Sequence, residues 1–154
     1  MKEKTTNELQ SILNKMKPGD IQKYLDDYKD SLYCGEKDFA VFMKEQFKTK
    51  KLTQQEVFLK SFIPERYGYK LLSGEKRTVQ RDIILRMCFA SKMALKDIQT
   101  ALTLYGMPIL YSKIPRDAVL IIAANQQISD VSKVDALLEE YGFAKLTTCG
   151  ADED

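Results

Sequence analysis

Residues 51–77 read KLTQQEVFLKSFIPERYGYKLLSGEKR, and this stretch decides the fold. Thr53-Gln54-Gln55-Glu56 has the form of a capping box. The Thr53 hydroxyl can accept from the Glu56 N–H, and the Glu56 carboxylate can reach back to the Thr53 N–H. Val57 is the first apolar residue after it. Pro64 disfavours helical geometry at Ile63, so a first helix ends near Phe62. The same proline suits the first turn of a second helix, predicted over 64–72. That helix carries Tyr67 and Leu71 inward and Glu65, Arg66, Tyr69 and Lys70 outward, and Gly74 closes it. Gly68 stands inside it, where glycine is expected to cost about 1 kcal/mol relative to alanine.

Outward from this stretch, composition sets the class. The chain has 154 residues, 44% hydrophobic and 30% charged, as expected of one folded domain with or without a small appendage. No apolar run approaches the roughly 18 residues needed to span a bilayer. The first ten residues, MKEKTTNELQ, are charged and polar and do not read as a secretory signal. Cys34, Cys88 and Cys149 are odd in number and far apart, and the chain has no histidine. A disulfide framework or a zinc site is therefore not expected, no cofactor is implied, and a reducing cytoplasm is the expected location. The net charge of +2 hides a gradient. Between Lys44 and Arg81 stand ten Lys/Arg and four Asp/Glu; between Asp135 and Asp154 stand one Lys and six Asp/Glu. The positive density centres on the two-helix stretch and suits a polyanion, although a solvated helix face has the same composition.

Before the stretch, Leu9, Ile12, Leu13 and Met16 recur at helical spacing. Pro18-Gly19-Asp20 breaks the chain. Ile21, Tyr24, Leu25, Tyr28 and Leu32 mark a second helix that stops at Gly35. These two helices are an independent hairpin or a lid on the main core; the pattern fits both. Asp38 opens a helix with Phe39, Phe42, Met43 and Phe47 on one core-facing side.

After the stretch, Thr78 can cap a helix that shows Ile83, Ile84, Met87, Cys88 and Ala90. Cys88 on this apolar face reads as an inert core thiol. The chain then nearly repeats itself. RDIILRMCFASKM at 81–93 aligns with RDAVLIIAANQQI at 116–128, and LKDIQTALTLYGM at 95–107 with VSKVDALLEEYGF at 131–143. Each unit is a helical hairpin that opens on Arg-Asp and ends on Tyr-Gly and an apolar residue. AVLIIAA at 118–124 is apolar all round, so that helix is expected to be the most buried or to face a partner. MPILYSKIP at 107–115 reads as an ordered loop. From Lys145 a short extended piece is expected. No strand changes the class. The prediction is an all-α protein of about eight helices, read as one continuous body. It divides into an N-terminal hairpin (1–36), a helix-turn-helix core (37–106), a C-terminal hairpin repeat (107–146) and a disordered tail (147–154).

Two short helices across a tight corner make a helix-turn-helix pattern. Leu52 to Gly74 resembles the Xre/Cro-like, lambda-repressor-like helix-turn-helix family. Its members commonly read Leu-Thr-Gln-Glu-Glu-Leu-Ala where LTQQEVF stands at 52–58. Ile63, Tyr67, Leu71 and Gly74 fill the family's frame positions around the recognition helix. ILRMCFASKMALKDI at 84–98 is similar to the family's fourth and fifth helices. The resemblance covers residues 38–98, and the remainder looks like an extended subgroup of small Firmicute-type bacterial Xre regulators. It implies a DNA-binding transcriptional regulator that reads the major groove with helix 64–72. Gln54 would contact a phosphate, and Glu65, Arg66, Tyr69 and Lys70 would face the groove. Lys76 and Arg77 would hold backbone phosphates. Double-stranded DNA is the implied partner, with a homodimer through the C-terminal hairpins. The alternative is a protein-interaction module with this fold that no longer binds DNA. An enzyme is not expected: there is no Gly-rich phosphate loop, no Cys-x-x-Cys and no Gly-x-Ser-x-Gly.

Overall fold

The computed structural model describes residues 4–32 and 36–148. Among the described residues are nine α-helices, three single 3-10 turns and no strand, so the chain is all-α. No described helix is long and apolar enough to cross a membrane. The expected stop at Gly35, Cys34, Cys149 and residues 149–154 of the tail expected over 147–154 lie outside the described residues, while 147 and 148 belong to a 3-10 turn. The chain falls into two compact units that part at Cys34 and Gly35.

The first unit holds α1 (Thr6–Leu13) and α2 (Ile21–Asp27). A full capping box starts α1: the Thr5 hydroxyl accepts from the Glu8 N–H at 3.2 Å, and the Glu8 carboxylate accepts from the Thr5 N–H at 2.9 Å. The expected continuation of α2 toward Leu32 breaks at Tyr28, and a 3-10 turn at Lys29–Ser31 follows. Tyr24 is the one fully buried apolar side chain among this unit's described residues; Leu13, Ile21 and Leu25 stay exposed.

The second unit runs through α3 (Glu36–Thr49), α4 (Gln54–Lys60), α5 (Glu65–Ser73), α6 (Arg81–Ala90), α7 (Leu95–Tyr105), α8 (Pro115–Asn125) and α9 (Val131–Glu140). Its centre is α6, whose residues from Ile83 to Ala90 are all buried. Helix α8, expected to be the most buried or to face a partner, is less buried than α6 and turns Ile122 to solvent. The outer layer is laid over the first hairpin of the repeat, with α3 packed on α7 and α4 on α6. Thr78 does not cap α6. Its hydroxyl accepts from the Gln80 N–H at 3.0 Å, and Gln80 takes the cap position.

One corner recurs through this unit. Lys51, Phe62, Lys92 and Gln127 each follow a helix with φ of 57°, 58°, 59° and 58°. The next residue is apolar every time, and its N–H reaches back five residues: Leu52 to the Phe47 carbonyl, Ile63 to Phe58, Met93 to Cys88, Ile128 to Ala123. Gly106 and Gly142, both with φ of 81°, close α7 and α9 in the same way. A left-handed residue followed by an apolar one satisfies the helix's last carbonyls and turns the chain back onto the core.

The duplication is stricter in three dimensions than in one. Arg116 pairs with Asp82 through two bonds of 2.9 Å, and Arg81 pairs reciprocally with Asp117, at 2.5 and 3.2 Å. Each arginine also holds the segment behind its own hairpin: Arg81 donates to the Pro108 and Ile109 carbonyls, Arg116 to the Ala144 carbonyl. Gln99 pins Leu110 through its N–H and carbonyl, both at 2.8 Å. At the equivalent place Asp135 accepts from the Leu146 N–H at 2.7 Å and the Thr147 hydroxyl at 2.6 Å. Leu110 and Leu146 are both buried. The chain beyond Lys145 is thus a 3-10 turn, Leu146–Thr148, and not the extended piece expected there. The repeat continues to Leu146, past the Tyr-Gly pair.

Candidate nucleic-acid interface

The two-helix stretch builds its surface from both ends of the corner. The Thr53 hydroxyl accepts from the Glu56 N–H at 3.1 Å; only that half of the expected box forms, and Glu56 stays exposed. Ser61 is buried and donates its hydroxyl to the Val57 carbonyl at 2.6 Å, which satisfies it without a partner from another helix. Pro64 precedes α5 as its cap, and Gly74 at φ 83° closes it. Tyr67, Leu71 and Leu72 are buried, which leaves the opposite side of α5 to solvent.

Gly68 is a packing requirement, not a defect. A Cβ there would lie 2.5 Å from the Phe58 ring. The ring fills the space that a side chain on α5 would take, and Tyr69 meets the same ring edge-on at 5.0 Å between centroids. Tyr69 is therefore anchored against that ring while it stays exposed.

Gln54, Arg66, Tyr69 and Lys70 line one open depression of about 420 Å³, with Lys44 of α3 and Glu75 at its rim. Four of the expected surface residues thus come together, from α4 and from successive turns of α5. Lys44 was not singled out by sequence, although it opens the basic stretch; a helix upstream of the corner carries no local sign that it reaches the same surface. Glu65 stands apart at the start of α5, where a carboxylate is favoured by the helix dipole, and faces Gln55 at 3.4 Å.

Lys76 and Arg77 are placed differently from each other. The Lys76 N–H donates to the Lys70 carbonyl at 3.1 Å, which folds the loop back against α5. The Arg77 guanidinium lies over the Tyr105 ring, 4.3 Å from its centroid, and donates to the Tyr105 carbonyl at 2.8 Å. The resemblance implies a phosphate contact for Arg77; its guanidinium, which stays exposed, is also engaged by α7, because the loop carries it to that helix's electronegative end. No group of three His, Cys, Asp or Glu among the described residues could hold a metal ion. In comparison with known proteins, the chain matches no family model, no curated protein and no solved structure.

Proposed function

We propose that this chain is a DNA-binding transcriptional regulator of the Xre type that lays α5 into the major groove. The observation that carries the reading is the shared surface of Gln54, Arg66, Tyr69, Lys70 and Lys44, with Glu75 as its one carboxylate. Arg66 is exposed near the start of α5 and is long enough for a bidentate pair with a guanine edge. Lys44 and Lys70 flank it as phosphate contacts, and Gln54 adds the positive end of α4. Binding to random-sequence duplex DNA at about 50 and about 200 mM salt tests it. Affinity should fall steeply with salt. Lys44→Ala and Lys70→Ala should each weaken binding across sequences and lower the salt slope by about one. Arg66→Ala should weaken it further and relax sequence preference by about 1–3 kcal/mol at one base pair.

The second reading is a protein-interaction module that keeps the two-helix corner without DNA. It is favoured by the commitment of Arg77 to Tyr105 and by the carboxylate of Glu65 on the exposed start of α5. Absence of binding to duplex DNA at the lower salt would select it.

A further inference from the structure

The two halves of the repeat differ in exposure at two pairs of equivalent residues. Tyr105 ends α7 and is 3% exposed; Tyr141 follows α9 in the matching place and is 63% exposed. Met87 of α6 is fully buried, and its counterpart Ile122 of α8 is 59% exposed. Tyr105 and Met87 lie in the hairpin covered by α3 and α4. Tyr105 is covered by Phe39 and Arg77. Phe39 meets its ring edge-on at 4.7 Å, and the Arg77 guanidinium stacks on it and donates to its carbonyl. The next residue, Thr78, donates its N–H to the Tyr105 hydroxyl at 3.0 Å. The position equivalent to Arg77 is Ser112, whose side chain can neither stack nor span the gap. Tyr141 has no side-chain partner among the described residues.

We infer that the exposed face at Tyr141 is a docking site for another protein's arginine-bearing segment, which binds as Arg77-Thr78 binds Tyr105. The guanidinium stacks on the Tyr141 ring and donates to its carbonyl, and the following residue donates its main-chain N–H to the Tyr141 hydroxyl. The occupant is therefore Arg-Xaa with Xaa any residue but proline, which has no N–H to give. Lysine does not substitute, because a compact ammonium lacks the planar face and the fork of donors. Charge supports the same occupant. Glu139 and Glu140 precede Tyr141, and the Glu139 carboxylate pairs with Lys145 at 3.9 Å. In the covered hairpin the equivalent positions are Thr103 and Leu104, so the acidic character belongs to the open copy alone.

The inference does not depend on DNA binding by α5. It is tested on the full chain by nitrogen–proton correlation spectra during titration with a synthetic peptide, GEKRTVQ, the chain's own occupant of the covered site. GEKKTVQ and GEKRPVQ serve as matched probes. The expected result is a saturable shift of the Tyr141 and Gly142 amides with GEKRTVQ, and at least fivefold weaker binding of the other two peptides. Tyr141→Ala should abolish the preference for arginine while leaving the remaining resonances in place. Equal responses to the three peptides, no response at these amides, or an arginine preference that survives Tyr141→Ala would overturn it. Sedimentation of the free chain adds a separate outcome: self-association lost in Tyr141→Ala would assign the face to a second copy and overturn the reading of a different protein partner.

Discussion

Gly68 and Phe58 share one space, and the pair shows how packing outweighs propensity at a single residue. Alanine is a better helix former than glycine by about 1 kcal/mol, so propensity alone favours Gly68→Ala. The added methyl would sit 2.5 Å from the Phe58 ring, and that ring is fully buried with no free side to move toward. Overpacking of this kind costs about 1–3 kcal/mol. Gly68→Ala should therefore lower stability in urea unfolding, and Gly68→Ala with Phe58→Leu should recover much of the loss; a stabilised single variant would refute the packing account. Sequence could show the glycine but not the ring beside it, because nothing local pairs positions 58 and 68. Cys88 was legible as a core thiol. Burial, with the charge of Asp97 as a smaller cause, holds its pKa well above the ordinary range. The native thiol should resist iodoacetamide at about pH 8, where a free thiol begins to ionise, and react once urea unfolds the chain. Above about pH 9 the unfolded thiol gives up its proton and the folded one does not, so this contribution to stability falls as pH rises. Cys88→Ala should flatten the stability curve between about pH 9 and 10, a comparison of slopes that removes the cost of the substitution itself.

At the scale of the element, the helix ends carry the surprise. Helix positions and inward faces were legible from periodicity: Phe39, Met43 and Phe47 on α3, Tyr67 and Leu71 on α5, and Ile98, Leu102 and Tyr105 on α7 are all buried. The corners were not. Lys51, Phe62, Lys92 and Gln127 occupy left-handed geometry, yet none belongs to the residue types that announce a turn. What selects the geometry is the apolar residue that follows, whose burial is satisfied only if the preceding residue turns left. A side chain with a Cβ is strained there by about 1–2 kcal/mol, while glycine is not. Lys92→Gly and Gln127→Gly should each stabilise the protein by about 0.5–1 kcal/mol, after the greater freedom of glycine in the unfolded chain is allowed for. Both side chains are exposed, so nothing else is lost. A drop in the urea midpoint for either would show that the side chain makes contacts that outweigh the strain. The recurrence also bears on α5. Because α4–α5, α6–α7 and α8–α9 turn by the same device, the corner alone does not distinguish a reading helix. The distinction lies in what α5 presents, Arg66, Tyr69 and Lys70, where the matching positions of α7 are Lys96, Gln99 and Thr100, and Gln99 is taken up by Leu110.

In the whole molecule, the two Arg-Asp dipeptides act as a reciprocal clamp. Their recurrence was plain in the sequence, but a repeat does not say whether each pair closes on itself or crosses to its copy. The crossing follows from the placing of each guanidinium at the other helix's first turn. There the carboxylates also complement the helix dipoles. Gln99 and Asp135 escaped notice because their chemistry differs, although both tie a buried leucine to the preceding helix. With both hairpins joined at these points and sharing the core around α6, residues 36–148 should unfold as one cooperative body. The N-terminal unit, with Tyr24 its only fully buried apolar side chain among the described residues, should open at far lower cost. Native-state hydrogen exchange separates the two cases. Amides of α6, α7, α8 and α9 should share one large opening free energy, and those of α1 and α2 should exchange much sooner. Breaking the Arg116–Asp82 pair tests the clamp itself. It is two-pronged and about one-fifth exposed on each side, 21% and 22%, so it is neither a surface pair of negligible effect nor a fully buried one. A double-mutant cycle with Arg116→Ala and Asp82→Ala should give a coupling of about 1–2 kcal/mol. In Arg116→Ala, α8 and α9 should open below the global transition while α3, α4 and α7 keep their protection. Uniform loss across all these helices would mean that the core around α6, and not the clamp, binds the second hairpin to the first.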